Sequence, residues 1–125
     1  MKYEIDKKEK YAIFSLEEPI LNSVIAPILK SEFVFLRNEG VKNLIFDLAK
    51  VDYIDSSGLS SILTANRLWK NYGCFVLTNI KSDSIKKLIE ISKLDTILTL
   101  IPTIEESVDY INMEDMEREL DEEEE

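Results

Sequence analysis

Histidine is absent from this chain of 125 residues, and cysteine, glycine and proline are scarce. Without histidine, the chain cannot form a serine–histidine or cysteine–histidine nucleophile pair, or a metal site with imidazole ligands. The one cysteine, Cys74, has no second cysteine for an intrachain disulfide, so we expect a cytoplasmic protein. Cys74 lies in the apolar run CFVL, which predicts a buried, unreactive thiol.

Long apolar runs are also missing. No stretch approaches the roughly 18 residues that a membrane-spanning helix needs, and the first residues, MKYEIDKKEKYAIF, have no signal-like apolar segment. We therefore expect no membrane insertion. The composition, 45% hydrophobic and 9% aromatic, is typical of a folded globular chain, and the length predicts one domain with one core.

The net charge of −10 is concentrated at the C-terminal end of the chain. Residues 114–125 contain nine acidic residues and one arginine, whereas residues 1–113 contain 16 acidic and 14 basic residues. Because like charges repel one another, such a run tends to stay solvated. We predict a domain at residues 1–112 and an acidic tail at residues 113–125, either flexible or a helical extension. With no basic stripe, no nucleic-acid partner is expected.

Short apolar runs alternate with segments of helical periodicity along the chain. The predicted strands are residues 2–6, 11–16, 44–48, 74–78 and 95–101. The predicted helices begin near residues 22, 57, 82 and 103, with Asn22, Ser23 and Ser82 as caps and Gly40 and Gly73 as stop signals. Strand–helix–strand crossovers imply an α/β domain with a mixed, mostly parallel sheet of about five strands and four helices packed on it.

Each predicted helix has apolar positions that we expect to face the core. They are Ile25, Ile28, Leu29, Phe33, Phe35 and Leu36 in the first helix; Leu59, Ile62, Leu63, Ala65, Leu68 and Trp69 in the second; Ile85, Leu88, Ile89 and Ile91 in the third; and Val108, Ile111 and Met116 in the last.

The stretch between residues 43 and 71 has the most informative residues. Asp47, Asp52 and Asp55 follow a predicted strand, at the sheet edge where α/β proteins usually bind ligands. One interpretation is therefore a metal site of an enzyme or a phospho-acceptor aspartate, as in receiver domains. Those domains have a second acidic cluster after the first strand, where this chain has only Asp6, and a lysine after the last strand, which is missing here.

The segment Asp55-Ser56-Ser57-Gly58 opens the second predicted helix. Asp55 and Ser56 are both good N-cap types, so capping is the simplest interpretation. Another is that Ser56 accepts a phosphate, which adds about −1.5 to −2 charge. A helix N-terminus tolerates such a group, but a partner covering Ser56 would have to desolvate it. That asymmetry predicts a binding switch with little effect on the fold.

A polar stripe continues from this segment along the same helix. Ser60, Thr64, Arg67 and Asn71 are spaced by four, three and four residues, which places them on one side. The stripe is either a solvated face or a surface of mostly small side chains that another protein can approach closely.

The segment DLAKVDYIDSSGL, residues 47–59, resembles the signature of the STAS family, in particular that of the bacterial anti-sigma factor antagonists. The order of elements agrees over residues 2–112. The resemblance implies a STAS-like domain that is not an enzyme and needs no cofactor or metal. It also implies phosphorylation, by a kinase that is itself the anti-sigma factor, of the serine after the aspartate: Ser56, with Ser57 as the fallback. The unphosphorylated protein would sequester the kinase and free the sigma factor, and the phosphorylated protein would let go.

Docking on the kinase would use the loop around Ser56 and the polar stripe. The expected partner-binding residues are Asp52, Tyr53, Asp55, Ser56, Ser57, Gly58, Ser60, Thr64, Arg67 and Asn22. Asn22 stands where the family often has an aspartate. The ATP would belong to the kinase, a phosphatase is a further candidate partner, and we expect a monomer or weak dimer. The alternative is a STAS scaffold subunit of a signalling or lipid-transport assembly, without a switch and with Ser56 only a cap.

Overall fold

The structure, a computed structural model, describes residues 1–124. In chain order its elements are β1 (Tyr3–Lys7), β2 (Ala12–Leu16), β3 (Ile20–Leu21), α1 (Ala26–Asn38), β4 (Leu44–Asp47), β5 (Tyr53–Ile54), α2 (Ser56–Trp69), β6 (Phe75–Thr78), α3 (Asp83–Ile91), a 3-10 turn (Leu94–Thr96), β7 (Thr99–Ile101) and α4 (Ile104–Glu124). The predicted α/β fold with a five-stranded mixed sheet and four helices is confirmed.

The main sheet has the strand order β1-β2-β4-β6-β7. β1 and β2 form an antiparallel hairpin, and the other neighbours pair in parallel, with Phe14 opposite Phe46 and Phe46 opposite Leu77. All of β6, and β4 up to Phe46, are buried because helices cover both faces of the sheet. Parallel pairing brings the carboxyl ends of β2, β4, β6 and β7 to one edge.

The two faces of the sheet carry different cores. One is aromatic: Phe14, Phe33, Phe46 and Phe75 are buried with Trp69 of α2, and the ring centroids of Phe33 and Phe46 lie 5.2 Å apart. The opposite face is smaller and is covered by α4, where Ile111 packs with Ile45, Cys74 and Val76. The alternation of side chains along the strands separates these two sets.

A second, two-stranded sheet was not predicted. β3 pairs in parallel with β5, with Ile20 opposite Tyr53 and Leu21 opposite Ile54. Each strand is two residues long, too short to give a period-2 pattern in the sequence. β5 ends two residues before α2 begins, so this small sheet fixes the segment that leads to Ser56.

For four apolar positions, the prediction that they face the core is wrong. Ile28, Phe35, Ile91 and Met116 are exposed. The core stripe of α1 is narrower than the apolar pattern, because the sheet covers only its side with Ala26, Leu29, Phe33 and Leu36. Periodicity alone does not show which edge of a wide apolar stripe reaches the core.

The helix ends differ from the predictions in two places. Asn22 does not cap α1: its Oδ1 accepts from the amide of Val24 at 3.0 Å, in a turn that precedes the helix, and Ser23 is no cap either. α2 ends at Trp69, and Asn71 rather than Gly73 adopts the left-handed conformation, with φ of 63°. The predicted position of Asn71 on the stripe of α2 is therefore wrong.

Two of the predicted signals for helix ends are confirmed. The last strand is shorter than predicted. Gly40, with φ of 93°, follows α1, and the Ser82 hydroxyl accepts from the amide of Ile85 at the start of α3. Only Thr99–Ile101 of the strand predicted at residues 95–101 is β-structure, because the preceding residues form a 3-10 turn.

α4 is continuous from Ile104 to Glu124, so the predicted domain boundary at residue 113 falls inside a helix and stays a prediction. Asp115, within the predicted tail, is 3% exposed and lies 3.4 Å from both Asn43 Nδ2 and Arg118 Nη1. Within residues 1–124, no helix combines the length and apolar character needed to cross a bilayer.

Candidate functional site

Asp55, and not Ser56, caps α2. Asp55 has an extended backbone, with φ of −92° and ψ of −174°, and its Oδ1 accepts from the amide of Gly58 at 2.9 Å. Ser56 is the first residue inside the helix. The interpretation of Ser56 as a cap is therefore wrong, because the preceding carboxylate already satisfies the first turn.

The Ser56 side chain is exposed, and its hydroxyl forms no hydrogen bond with any residue of the described chain. Ser57 is partly buried, and the buried Ser61 donates its hydroxyl hydrogen to the carbonyl of Gly58. Of the serines in the first turns of α2, Ser56 is thus the exposed one, while Ser57 also forms no hydrogen bond within the described chain but is less exposed.

The backbone before Ser56 is held in place by β3. The amides of Asp52 and Tyr53 both donate to the carbonyl of Pro19, at 2.8 and 3.1 Å. Gly58 lies against the same element: a Cβ there would be 2.5 Å from the carbonyl oxygen of Leu21. Only glycine allows α2 to begin this close to the small sheet, so Gly58 serves packing, and its buried position offers no side chain to a partner.

An open groove of about 410 Å³ runs beside Ser56, between the start of α1 and the first turns of α2. It is lined by Ser23, Ala26, Pro27, Lys30, Ser56, Ser57 and Ser60. Lys30 reaches across it, and its Nζ donates to Ser60 Oγ at 3.2 Å. Lys30 is not one of the apolar core positions of α1. Nothing in the sequence pattern indicated that it lies at this site.

Exposed apolar side chains lie on the segments that lead into the two helices of the groove and on α1 itself, and most of them were not predicted as site residues. Ile20, Val24, Ile28 and Tyr53 are all at least 46% exposed, and they lie on β3, β5 and the entry to α1. Ile20 and Tyr53 are neighbours in the small sheet, and exposed apolar patches are typical of protein interaction sites. The signal available in the sequence was the spacing of Val24 and Ile28, four residues apart and off the buried stripe.

The predicted partner-binding residues are only partly brought together. Ser56, Ser57 and Ser60 share the groove, while Asp52 and Tyr53 are exposed on the segment leading to it. Asn22 lies in the turn next to Ser23, and Thr64 donates to the carbonyl of Ser60 one turn farther along α2. Arg67 is exposed but lies eleven residues after Ser56, about 16 Å along the helix axis, away from the groove.

The three aspartates considered as a metal site make separate contacts. Asp47 accepts from Ser15 Oγ at 3.0 Å and from Asn79 Nδ2 at 3.1 Å, and so links β2, β4 and the end of β6. Asp55 caps α2, and Asp52 is exposed. Within residues 1–124, no three acidic or cysteine side chains lie close enough together to hold a metal ion. Asp47 and Asp55 are therefore engaged in separate structural contacts, one at the strand ends and one at the start of α2.

Comparisons with known proteins agree with this geometry. The model of the STAS domain family matches residues 2–123. BtrV of Bordetella bronchiseptica, which is named an anti-sigma factor antagonist, is 32% identical to this chain over 93 residues. The aligned residues cover 74% of this chain and 78% of BtrV.

Solved structures with this fold include an anti-sigma factor antagonist from Mycobacterium paratuberculosis, with a TM-score of 0.80 and 17% identity over 89% of this chain and 93% of that one. The Bacillus cell fate determinant SpoIIAA in its phosphorylated form has a TM-score of 0.67 and 19% identity over 88% and 99% of the two chains. At these identities, the structural likeness establishes the fold.

Proposed function

The chain belongs to the STAS domain family, as the resemblance in residues 47–59 indicated, and on that premise we propose that it is an anti-sigma factor antagonist. In this role it binds an anti-sigma factor that is also a serine kinase, and it is released when Ser56 is phosphorylated. One observation carries the proposal: Asp55 caps α2, which leaves the exposed Ser56 hydroxyl without a hydrogen bond. The chain is then a binding protein and a kinase substrate rather than an enzyme.

The chemical step needs nothing from this chain beyond the Ser56 hydroxyl. Its oxygen attacks the γ-phosphorus of ATP held by the kinase, and the bond from that phosphorus to the β–γ bridging oxygen breaks. ADP leaves, and the hydroxyl proton passes to a base outside this chain. The exposure of Ser56 favours this step, because no intramolecular hydrogen bond has to break before the oxygen can attack.

The position of Ser56 explains why a phosphate would change binding more than folding. In the free protein, the phosphate would stay in water at the N-terminus of α2, where backbone amides and the helix dipole favour an anion by about 0.3–1 kcal/mol. A partner that covers Ile20, Val24 and Tyr53 would instead bury it, and desolvating a charge costs several kcal/mol. The kinase would thus dock on the unphosphorylated chain, and a phosphate on Ser56 would prevent it from docking again.

Structural relatives support a switch that leaves the backbone unchanged. SpoIIAA has been solved in unphosphorylated and phosphorylated forms, and this chain matches the two almost equally, with TM-scores of 0.68 and 0.67. A phosphorylated protein can therefore keep this fold, which supports a switch that acts on binding rather than on folding.

Phosphorylation can be tested directly in the native cell. We would purify the intact chain from cells under several growth and stress conditions, measure its mass, and map the tryptic peptide of residues 51–67. The expected result is one phosphate, on Ser56. Ser56→Ala should abolish it, whereas the neighbouring control Ser57→Ala should keep it. If no phosphate appears under any condition, the switch is overturned and the scaffold role is favoured.

Binding is tested with the same cells. Ser56→Ala, used as bait, should retain a protein kinase that Ser56→Asp does not retain, because only the aspartate carries charge into the docking face. The parent chain, phosphorylated in part, should fall between the two. If Ser56→Asp captures the same kinase as strongly as Ser56→Ala does, phosphorylation does not control docking.

A further inference from the structure

Lys30 differs from every other lysine of the chain. Of the twelve lysines, it is the one that is not exposed. Its Nζ donates to the neutral hydroxyl of Ser60 at 3.2 Å, and within residues 1–124 it forms no ion pair. An ammonium that rests on a neutral oxygen and has no ion-pair partner has unused capacity to bind an anion.

The place of Lys30 relative to Ser56 is fixed by two helices. Ser60 follows Ser56 by four residues on α2, and side chains at that spacing are neighbours, with Cβ atoms about 5–6 Å apart. Lys30 lies on α1 and spans the groove that Ser56 and Ser60 both line. It is the only charged residue among those that line this groove.

We propose that Lys30 is the internal counter-ion of a phosphate on Ser56: its ammonium leaves Ser60 and forms a charge-assisted hydrogen bond with the phosphate. The proposal rests on the proposed function, in which Ser56 is the phosphorylated residue. It adds a positioning residue on α1 that the sequence analysis did not identify.

The exchange is favourable on chemical grounds. A hydrogen bond from an ammonium to a phosphate joins opposite charges, so it gains a Coulomb attraction that the bond to the neutral hydroxyl of Ser60 lacks. The phosphate also has negative neighbours in Asp52 and Asp55, so a cation on its other side reduces the local repulsion. The flexible stem of lysine lets the ammonium move between two acceptors one helical turn apart without a backbone change.

The contact with Lys30 would also determine where the phosphate lies. Held by Lys30, the phosphate lies over the groove between α1 and α2 instead of extending into solvent from the end of the helix. The charge then sits on the face that a partner must cover, which makes the modified state incompatible with docking. In the unmodified state, Lys30 only bridges the two helices.

The test uses protein in which phosphoserine is incorporated at position 56 during translation, so it does not depend on any kinase. The second pKa of the phosphate is measured by ³¹P NMR titration in the parent, in Lys30→Gln and in the control Lys87→Gln, whose lysine is exposed on α3. A nearby ammonium favours the dianion, so removing Lys30 should raise this pKa by about 0.2–0.7 units. Lys30→Arg should restore the parent value, and Lys87→Gln should not change it.

An equal phosphate pKa in the parent and in Lys30→Gln would overturn the pairing, even if cells phosphorylate Ser56. The pairing would also be overturned if Lys30→Gln changed the phosphate pKa of phosphoserine placed at position 57 but not that of phosphoserine at position 56. Conversely, a clear shift in chains with the installed phosphate, together with no phosphate on Ser56 in cells, would retain the pairing and reject the proposed function. The urea-unfolding midpoint of each unphosphorylated variant establishes that the variants are folded.

Discussion

The carboxylate of Asp55 accepts a hydrogen bond from the backbone amide of Gly58 at 2.9 Å, and this contact closes the first turn of α2. The neighbouring Ser56 therefore has no part in starting the helix. Folding depends on Asp55, while Ser56 is available for modification. The cap of α2 and the candidate phosphorylation site are thus two different residues of one short segment.

The first prediction concerns the cap. Asp55→Ala should lower the free energy of unfolding by about 0.5–2 kcal/mol, because the first-turn amides lose their acceptor. Ser56→Ala should change it by less than about 0.5 kcal/mol, as for a surface substitution. Urea denaturation of the purified variants measures both, with Asp55→Asn as the control that keeps a capping oxygen. Equal losses for Asp55→Ala and Ser56→Ala would contradict the assigned cap.

The second prediction concerns Asn43, which is fully buried. Its Nδ2 donates to the carbonyl of Lys10 at 2.7 Å, and its Oδ1 accepts from the amide of Cys74 at 2.8 Å. Asn43→Ala leaves both backbone groups unsatisfied, so the free energy of unfolding should fall by at least about 1–3 kcal/mol. Urea denaturation checks this against Asn112→Ala, an exposed position on α4. Similar stabilities of the two variants would show that Asn43 does not join these strands.

The third prediction compares substitutions at Gly73 and Gly40, which have different surroundings. A Cβ at Gly73 would lie 1.6 Å from the carbonyl oxygen of Lys42, whereas a Cβ at Gly40 meets nothing within 4 Å. Gly40→Ala should cost about 1–2 kcal/mol, for its left-handed backbone alone. Gly73→Ala forces backbone apart and should cost more than about 3 kcal/mol or prevent folding. Thermal unfolding ranks the two, and the reverse order would contradict the packing of Gly73.

The fourth prediction concerns pH. Burial raises the pKa of the Cys74 thiol, and the guanidinium of Arg118, 3.7 Å from the sulfur, offsets part of this. The folded chain therefore keeps the proton to higher pH than the unfolded chain. This contribution to stability is complete below the unfolded thiol pKa of about 8.5 and is lost as the pH rises through the folded value.

The measurement is the free energy of unfolding of the parent and of Cys74→Ala as the pH is raised. The parent should lose stability faster than the variant. Tyr3, whose pKa is also raised, remains in both proteins and cancels in the difference. Tyr110 does not cancel fully, because the Cys74 thiolate contributes to raising its pKa, but this coupling changes the difference in the same direction. A parent–variant difference that does not change with pH would mean that Cys74 titrates as it does in the unfolded chain.

Local signals in the sequence were sufficient to predict the five-stranded main sheet and the four helices. The buried runs of β4 and β6, the glycine after α1 and the Ser82 cap of α3 depend on residues within a few positions of each other. Hydrophobic periodicity and capping chemistry are short-range properties, so they can be recognised before any contact is known. The segment of residues 47–59 likewise identified the family.

The details of the candidate site were decided by tertiary packing. The pairing of Ile20 with Tyr53 joins residues far apart in the chain, and the sheet rather than the apolar pattern determines that Ile28 is exposed. Asp55 and Ser56 are both residue types that can cap α2. Asp55 is the cap because its backbone is extended, and its amide is hydrogen-bonded to the carbonyl of Leu21 in β3. Lys30 meets Ser60 only because α1 packs beside α2. The sequence by itself determined the order of elements and the reactive serine as a candidate. The tertiary structure decided which side chains surround that serine, because those contacts join distant segments and no local pattern encodes them.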